Sequence, residues 1–351
     1  MNKAHNIYIH VPFCVAKCRY CAFFSRACSA PDWDKYVSNI NQEIRLFSRQ
    51  LGKISVPTIF FGGGTPSLMP TKVFDSILTE IRKNLNLAPD AEITIEANPK
   101  TIDDNKISEF AKIGMNRISI GVQSFDDEKL KFLGRIHSAD DARRTLDGAL
   151  RHGLRVSADF IYGLPNETVA AVIKTCQEIN SIGLSHCSMY ELTIEPNTPL
   201  GQSNPEMPDN ETMADMYNAI NDNLCLPRYE VSNYAVPGQE CRHNQNVWDG
   251  EPYIGIGTGA AGRVLLNGVW YEQLGGNKQF EPMSDADRAI ERVITGLRTV
   301  HGVKLDEHVK NIINLEFAKS CPDMLSFNGD RLATTSKGML VLDDLITKLV
   351  K

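Results

Sequence analysis

Short apolar, β-branched segments alternate with amphipathic segments through the first half of this 351-residue chain, and this alternation restricts its fold more than any other feature. Units of one strand and one helix build parallel sheets with helices on the outside. The sequence therefore predicts an α/β fold. The strands are predicted, from their periodicity, at Ile7–Val11, Thr58–Phe61, Glu92–Glu96, Arg117–Val122, Val156–Ile161 and Cys187–Leu192. The helices are predicted at Asp34–Gln50, Lys72–Leu85, Asp104–Ile113, Asp140–His152 and Thr168–Ile182.

Polar and glycine residues follow several of these strands. Glu96, Gln123 and Asp159 stand at strand ends, and a triple glycine beginning at Gly62 follows the second strand. The carboxyl ends of parallel strands meet at one edge of a sheet, where binding sites form. Arg135 can pair with a carboxylate, and the two acids can accept from an amine or from ribose hydroxyls. Each residue alone fits a solvated surface equally well, and the glycines alone fit a simple turn, but together they predict a site.

Three cysteines, Cys14, Cys18 and Cys21, follow the first strand with the spacing CxxxCxxC. Four-iron clusters are normally held by four cysteines, so three thiolates would leave one iron open to an outside ligand. A structural zinc site is the alternative, but it requires four ligands, usually as two pairs. The next cysteine, Cys28, has no such partner, and the cluster is therefore favoured.

The charge and the cysteine usage restrict the partners and the compartment. A net charge of −6 argues against nucleic-acid binding, which normally needs a basic surface. No apolar run approaches the roughly 20 residues that span a bilayer, and the sequence begins with a strand rather than a signal peptide. Nine cysteines without paired spacing beyond the first three suit a reducing compartment. We expect a cytoplasmic protein with at most peripheral membrane contact.

The composition changes after Pro196, where Asn, Pro and Gly become frequent, and this marks a boundary. Three parts are predicted. Residues 1–195 form the barrel, 196–280 form a linker and a barrel-flanking segment, and 281–351 form a small α+β domain of winged-helix type. A hairpin is expected at 331–342.

A second group of candidate residues lies at Cys241, His243 and Trp248, just before a glycine-rich stretch from Gly250 to Gly262. An imidazole or thiolate beside aromatic residues and close-approach backbone can ligate and stack a haem. Taken alone, this segment favours the alternative interpretation, in which it is a polar loop whose histidine is simply hydrogen-bonded.

The motifs together resemble those of the radical S-adenosylmethionine (SAM) enzymes and, within them, the coproporphyrinogen III oxidase-like family. The resemblance implies a partial (β/α)6 TIM-like barrel with a smaller α+β C-terminal domain. It also implies a [4Fe-4S] cluster on the three cysteines of CxxxCxxC, with SAM chelating the fourth iron. The motifs that carry the resemblance to this family include Gly62-Gly-Gly-Thr-Pro-Ser67, Glu96-Ala-Asn-Pro99, Gly121-Val-Gln-Ser124, Leu133-Gly-Arg-Ile-His137 and Cys241-Arg-His-Asn244. The SAM site it implies is lined by Tyr8, Phe23, Gly63, Gly64, Thr65, Glu96, Gln123, Arg135 and Asp159.

Within that family the chain is more similar to haem chaperones than to oxidases. Phe23 stands where the oxidase group carries a further cysteine, and the long N-terminal extension of that group is not expected. The resemblance implies that the protein binds haem near His243, Cys241 and Trp248 and transfers it to acceptor apoproteins of the respiratory chain. Two positions depart from the family pattern: Val247 replaces a tyrosine of HNxxYW, and Ala261 replaces a histidine.

Two other functions stay open at this point. In one, the protein is a radical enzyme that acts on a porphyrinogen or another small molecule through a 5′-deoxyadenosyl radical. The other, modification of RNA, is disfavoured by the acidic charge. The sequence does not decide whether the protein is an enzyme.

Overall fold

The computed structural model describes residues 3–274 and 279–351. Its first eight strands, in chain order, are β1 (Asn6–Val11), β2 (Phe13–Cys14), β3 (Arg26–Ala27), β4 (Ser55–Gly63), β5 (Asn86–Ala97), β6 (Arg117–Gln123), β7 (Arg155–Tyr162) and β8 (His186–Glu191). The remaining strands are β9 (Asn233–Ala235), β10 (Tyr253–Ile256), β11 (Gly262–Leu266), β12 (Val269–Gln273), β13 (Phe280–Pro282), β14 (Val303–Lys304), β15 (Leu325–Asn328) and β16 (Arg331–Thr334).

The helices lie between these strands and at the C-terminal end. The first seven are α1 (Trp33–Leu51), α2 (Thr71–Asn84), α3 (Asp104–Ile113), α4 (Asp127–Leu133), α5 (Ala139–Arg151), α6 (Val169–Ile182) and α7 (Pro199–Gln202). The others are α8 (Asn210–Asn223), α9 (Arg242–Trp248), α10 (Asp285–Gly296), α11 (Glu307–Ile312), α12 (Leu315–Ser320), α13 (Ser336–Met339) and α14 (Leu342–Leu349). In the described ranges, no helix combines the length and the apolar character needed to cross a membrane.

One sheet of eleven strands organises the barrel, in the order β13-β12-β11-β10-β1-β4-β5-β6-β7-β8-β9. Neighbouring strands from β10 to β8 are parallel, whereas β9 and β11 to β13 extend the two edges in antiparallel pairing. Parallel strands need crossover connections, and the longer helices α1, α2, α3, α5 and α6 supply them. The predicted α/β partial barrel is confirmed.

The parallel strands have an apolar outer face and a polar inner face. On β6, Ile118 and Ile120 are fully buried, and the hydrophobic core they join extends to the outer helices. Arg117 and Ser119 alternate with them and therefore point to the opposite side of the sheet. The same alternation on the other strands lines the inside of the barrel with side chains that can bind polar ligands.

The outer core contains a run of aromatic contacts. Phe74 of α2 packs edge-on against Phe61 of β4 at a centroid distance of 5.1 Å, and against Phe110 of α3 at 4.9 Å. All three side chains are fully buried. This layer fixes two helices on the strands that carry the glycine turn and Glu96.

A separate hydrophobic core joins α10 to α14 with the three-stranded sheet β14-β16-β15. The predicted hairpin at 331–342 is wrong. The hairpin is formed by Leu325–Asn328 and Arg331–Thr334, and Thr335 caps a helix that follows immediately. The strands of residues 233–273 belong to the barrel sheet, and the proposed division of the chain into three parts stays a prediction.

Truncation of the central aromatic residue of the outer core, Phe74→Ala, should lower the free energy of unfolding by about 3–5 kcal/mol, because it removes a buried ring and leaves a cavity. Leu46→Ala, on the exposed side of α1, should change it by less than about 0.5 kcal/mol. Urea unfolding of the cluster-free protein, followed by circular dichroism, measures both. Equal unfolding midpoints for the two variants would contradict this assignment of the core.

Candidate cofactor and ligand site

The three cysteines lie on one loop that leaves the barrel after β1. Cys14 ends the short strand β2, which pairs with β3, and the backbone N–H of Cys28 donates to the carbonyl of Cys14 at 2.9 Å. The loop between them is therefore closed at its base. Within it, the N–H of Cys21 donates to the carbonyl of Cys18 at 3.3 Å.

The glycine turn after β4 holds this loop against the barrel. The N–H of Gly64 donates to the carbonyl of Val11, and that of Thr65 donates to the carbonyl of Phe13, both at 2.8 Å. A Cβ atom at Gly64 would lie 3.0 Å from Sγ of Cys14 and 2.7 Å from the Phe13 carbonyl oxygen. Glycine is therefore required for the close approach of turn and cysteine loop.

Arg135 connects the cysteine loop with β6. Gly134, in the left-handed conformation, ends α4 and precedes Arg135. The guanidinium donates through Nη1 to Sγ of Cys18 at 3.4 Å and through Nη2 to the carbonyl of Gly121 at 2.8 Å. Arg135 therefore fixes the cysteine loop to β6.

The donor set at this loop fits an iron-sulfur cluster. Within residues 3–274 and 279–351, no three His, Cys, Asp or Glu side chains converge on a single metal ion. Thiolates that hold a cubane cluster each bind a different iron, so they need not converge on one point. The three thiols of the loop, the guanidinium beside Cys18 and the absent Cβ beside Cys14 suit such a group.

Glu96 lies at the end of β5, beneath the glycine turn. Its Oε2 accepts from the backbone N–H of Gly63 at 3.1 Å. Burial and the neighbouring Asp159 raise the pKa of Glu96 to about 8. A cationic ligand group beside this carboxyl would favour its ionised form, so Glu96 is suited to recognise an amine.

Gln123 and Asp159 occupy two different levels of the barrel. Gln123 ends β6 with a φ of +65°, next to an irregularity in the pairing with β7, and such backbone strain is typical of binding sites. Asp159 lies deeper, where it accepts from the hydroxyls of three serines. Burial raises its pKa despite these donors.

A cavity of about 400 Å³ inside the barrel joins the two groups of candidate residues that the sequence keeps apart. Members of the predicted SAM site and members of the predicted haem site line the same space. The lining residues are Tyr8, Phe60, Glu96, Arg117, Ser119, Asp159, Ser188, Tyr190, Asn233, His243, Asn244, Val247, Trp248, Tyr253 and Ala261.

His243 lies in the first turn of α9, which packs against β4. Its Nδ1 is 2.7 Å from Oγ1 of Thr58, and that hydroxyl donates its only hydrogen to Oδ1 of Asn6 at 2.8 Å. Thr58 can therefore only accept a hydrogen bond from Nδ1–H. The neutral ring thus carries its hydrogen on Nδ1 and its free lone pair on Nε2. Burial lowers the pKa of His243 to about 4. A neutral imidazole with a free Nε2 is a competent metal ligand.

The start of α9 is bound to the barrel by Glu92. The backbone N–H groups of Arg242 and His243 donate to its two oxygens at 3.1 and 3.0 Å. Cys241, which precedes the helix, is buried with its thiol 3.7 Å from Glu92. Burial raises the pKa of Cys241 to about 11, and its side chain is not among those lining the cavity.

Not all the predicted residues meet in one place. Phe23 is 70% exposed on the outside of the cysteine loop, whereas Gly64 and Thr65 contact the loop from the barrel side. The sequence analysis missed several residues of the cavity, above all Arg117, Ser119, Ser188 and Tyr190. Polar residues at every second position of β6 and β8 are the signal that could have found them.

Glu96 should make the stability of the cluster-free protein fall with increasing pH. Its carboxyl is protonated in the folded state up to about pH 8 and ionised in the unfolded state above about pH 4.5. Folding therefore takes up a proton between these values, and stability decreases by up to about 1.4 kcal/mol per pH unit. Glu96→Gln should remove this dependence, whereas Glu109→Gln, exposed on α3, should keep it. Urea unfolding at pH 5, 6, 7 and 8 measures it, and parallel profiles for Glu96→Gln and the wild type would refute it.

Comparison with known proteins places the chain in a family. The radical SAM superfamily profile matches residues 8–179. The chain is 41% identical to the haem chaperone HemW of Escherichia coli K12 over 74% of this chain and 70% of that protein. It is 32% identical to HemW of Lactococcus lactis over 91% and 88%, and 30% identical to HemW of Mycobacterium tuberculosis H37Rv over 99% and 95%.

A solved structure shows the same fold. The radical SAM enzyme coproporphyrinogen III oxidase HemN of Escherichia coli superposes with a TM-score of 0.82 over 99% of this chain and 90% of that one, at 18% identity. This likeness concerns the fold, whereas the sequence identities over most of the chain define the family. The chain belongs to the HemW family of the radical SAM superfamily.

Proposed function

We propose that this protein is a haem chaperone, which binds haem in the barrel cavity and transfers it to acceptor proteins. The observation that carries the proposal is the state of His243, which lines the cavity and whose Nδ1 is held by Thr58 while no described residue binds its Nε2. A histidine that ligates a metal usually donates its other ring N–H to a neighbouring acceptor, which fixes the tautomer, as Thr58 does here. The names of the HemW relatives agree with it.

His243 is a better haem ligand than Cys241. The imidazole lines the cavity and stays neutral above pH 4, with the Phe60 ring tilted beside it at a centroid distance of 5.2 Å. The thiol of Cys241 is enclosed and directed at Glu92, so the thiolate form that binds metals is disfavoured. Trp248, five residues after His243 at the end of α9, supplies an aromatic wall to the same cavity.

The proposal includes a [4Fe-4S] cluster held by Cys14, Cys18 and Cys21, as membership of the radical SAM superfamily implies. Bound SAM would supply one-electron chemistry at the cluster. Glu96 and the Gly63 turn are suited to hold its amino group, and Arg135 its carboxylate. Asp159, fixed by three serine hydroxyls, is oriented toward the cavity and is suited to accept from ribose. The remaining predicted contacts, Tyr8, Phe23, Gly64, Thr65 and Gln123, stay predictions.

The acceptors follow from the same proposal. They would be haem-requiring apoproteins, and the respiratory chain supplies such proteins at the membrane surface. Peripheral contact of a cytoplasmic chaperone with the membrane would suffice for this transfer. The cytoplasmic location and the identity of the acceptors stay predictions.

Cys18→Ala should abolish cluster assembly, because two protein thiolates cannot hold a cubane firmly. The matched control is Cys225→Ala, which removes an exposed cysteine outside the loop. Iron and acid-labile sulfide are measured after anaerobic reconstitution, with the wild type and Cys225→Ala expected to retain full content. Unchanged iron and sulfide in Cys18→Ala would refute the cluster assignment.

His243→Ala should weaken haem binding at least about tenfold, since a metal-ligand bond is lost. Titration of the reconstituted protein with haem, followed at the Soret band, measures the change. His308→Ala serves as the control because its imidazole is exposed on the C-terminal unit. With the pKa of His243 near 4, ligation through it should not vary between pH 6 and 8. Equal haem affinity in His243→Ala and the wild type would exclude this ligand.

The shared cavity favours one other function. A ligand bound near His243 would lie in the same space as Glu96 and Asp159 of the SAM site, where a radical enzyme would bring its substrate. If the wild type shows no saturable haem binding, release of 5′-deoxyadenosine from SAM in the presence of a porphyrinogen becomes the decisive measurement.

A further inference from the structure

Arg117 is a buried cation of the cavity to which neither the cluster nor the predicted haem ligands assign a role. It is the first residue of β6, its side chain points into the barrel, and only 2% of its surface is exposed. It shares the cavity wall with His243. Both residues also adjoin Glu92, which binds the backbone of His243 and interacts electrostatically with the guanidinium.

The guanidinium of Arg117 has no hydrogen-bonding partner and no ion pair among the described residues, in contrast to Arg135 and Arg155. Each guanidinium nitrogen keeps some accessible surface, because none of them is a fully enclosed polar atom that lacks a hydrogen-bond partner. They are therefore open to the cavity that the residue lines. Neighbouring acids, Glu92 among them, keep this group charged, since the pKa of Arg117 is raised although burial alone would lower it. Its N–H donors nevertheless have no acceptor among the described residues, and buried donors are costly unless they are hydrogen-bonded, so this arrangement calls for an anionic ligand group.

The two carboxylates that interact electrostatically with Arg117, those of Glu92 and Asp159, already accept hydrogen bonds from other groups. Both oxygens of Glu92 accept hydrogen bonds, from Arg155 at 2.8 Å and from the backbone of Arg242 and His243. Asp159 accepts from three serine hydroxyls. A guanidinium can bind a carboxylate bidentately through two of its five N–H donors, and no carboxylate among the described residues does so for Arg117.

The carboxylate of SAM does not suit this position. The guanidinium at the cluster is that of Arg135, which bonds to Sγ of Cys18 and to the carbonyl of Gly121. Gly121 lies four residues beyond Arg117 on β6, a distance of about 13 Å along the strand. An acid bound by Arg117 therefore belongs to a ligand in the deep part of the cavity, on the side of His243.

We propose that Arg117 binds a carboxylate side chain of the tetrapyrrole whose iron is bound by His243. This inference rests on the proposed function and adds a specificity determinant to it. Arg117 would select tetrapyrroles with free acid groups and fix their orientation in the cavity. The same contact would supply an acceptor for the N–H donors of the guanidinium.

The test compares two ligands in four proteins. Haem and its dimethyl ester, which lacks the free acids, are presented in the same detergent and titrated at the Soret band. The proteins are the wild type, Arg117→Gln, Arg117→Lys and His243→Ala. The wild type should bind haem about 10- to 100-fold more tightly than the ester, the range expected for a hydrogen-bonded charge. Arg117→Gln should lose most of this preference, and Arg117→Lys should keep part of it.

The pattern of losses separates this proposal from the haem site itself. Arg117→Gln should weaken haem but change the ester little, whereas His243→Ala should weaken both ligands. Equal losses of both ligands in Arg117→Gln would show a structural role and overturn the proposal. Equal affinity of the wild type for haem and ester would overturn it without any variant, even if Arg117→Gln fails to fold. No saturable binding of haem to the wild type would instead reject the proposed function, and this inference with it.

Discussion

The carboxylate of Glu92 is the interaction on which the deep half of the barrel depends. Burial alone would raise its pKa, but Arg117, the N–H of His243 and Arg155 outweigh burial and lower it, so the group stays ionised. As an anion it binds the start of α9 through two backbone N–H groups. A negative charge at a helix N-terminus also interacts favourably with the helix dipole. Glu92 thereby fixes the short helix that brings His243 to the cavity.

The same strands provide both the stability of the barrel and its site, because their two faces are of opposite character. The outer face buries Ile, Val and Phe under the helices, which drives folding. The inner face carries Thr, Ser, Glu and Arg, whose burial is favourable only where each polar group has a partner. Within the described residues most of these partners come from neighbouring strands, as with Asp159 and its serines. Arg117 departs from this pattern.

The βα alternation and the cysteine spacing were readable in the sequence because each depends on residues close together along the chain. The ends of the predicted strands and helices differ from the observed ones by at most three residues, except that β5 begins six residues before the predicted Glu92. Predictions failed where a helix cap or distant contacts decide. The segment from Ser336 is helical because Thr335 caps it, although its apolar residues fit a strand. The positive φ of Gln123 depends on barrel closure, which no local pattern encodes, whereas the alternation along β6 does indicate the inward direction of Arg117.

Both departures from the family pattern, Val247 and Ala261, line the cavity beside His243. They change its wall while leaving Thr58, Asn6 and Glu92, which fix the imidazole, in place. Ala261 offers no nitrogen, so His243 is the histidine that the described lining provides. Under the proposed function, His243 would be the imidazole of this lining that holds the haem iron, and a ligand of the acceptor could still bind that iron. A chaperone must release what it binds, and single ligation meets that requirement better than enclosure between two strong ligands.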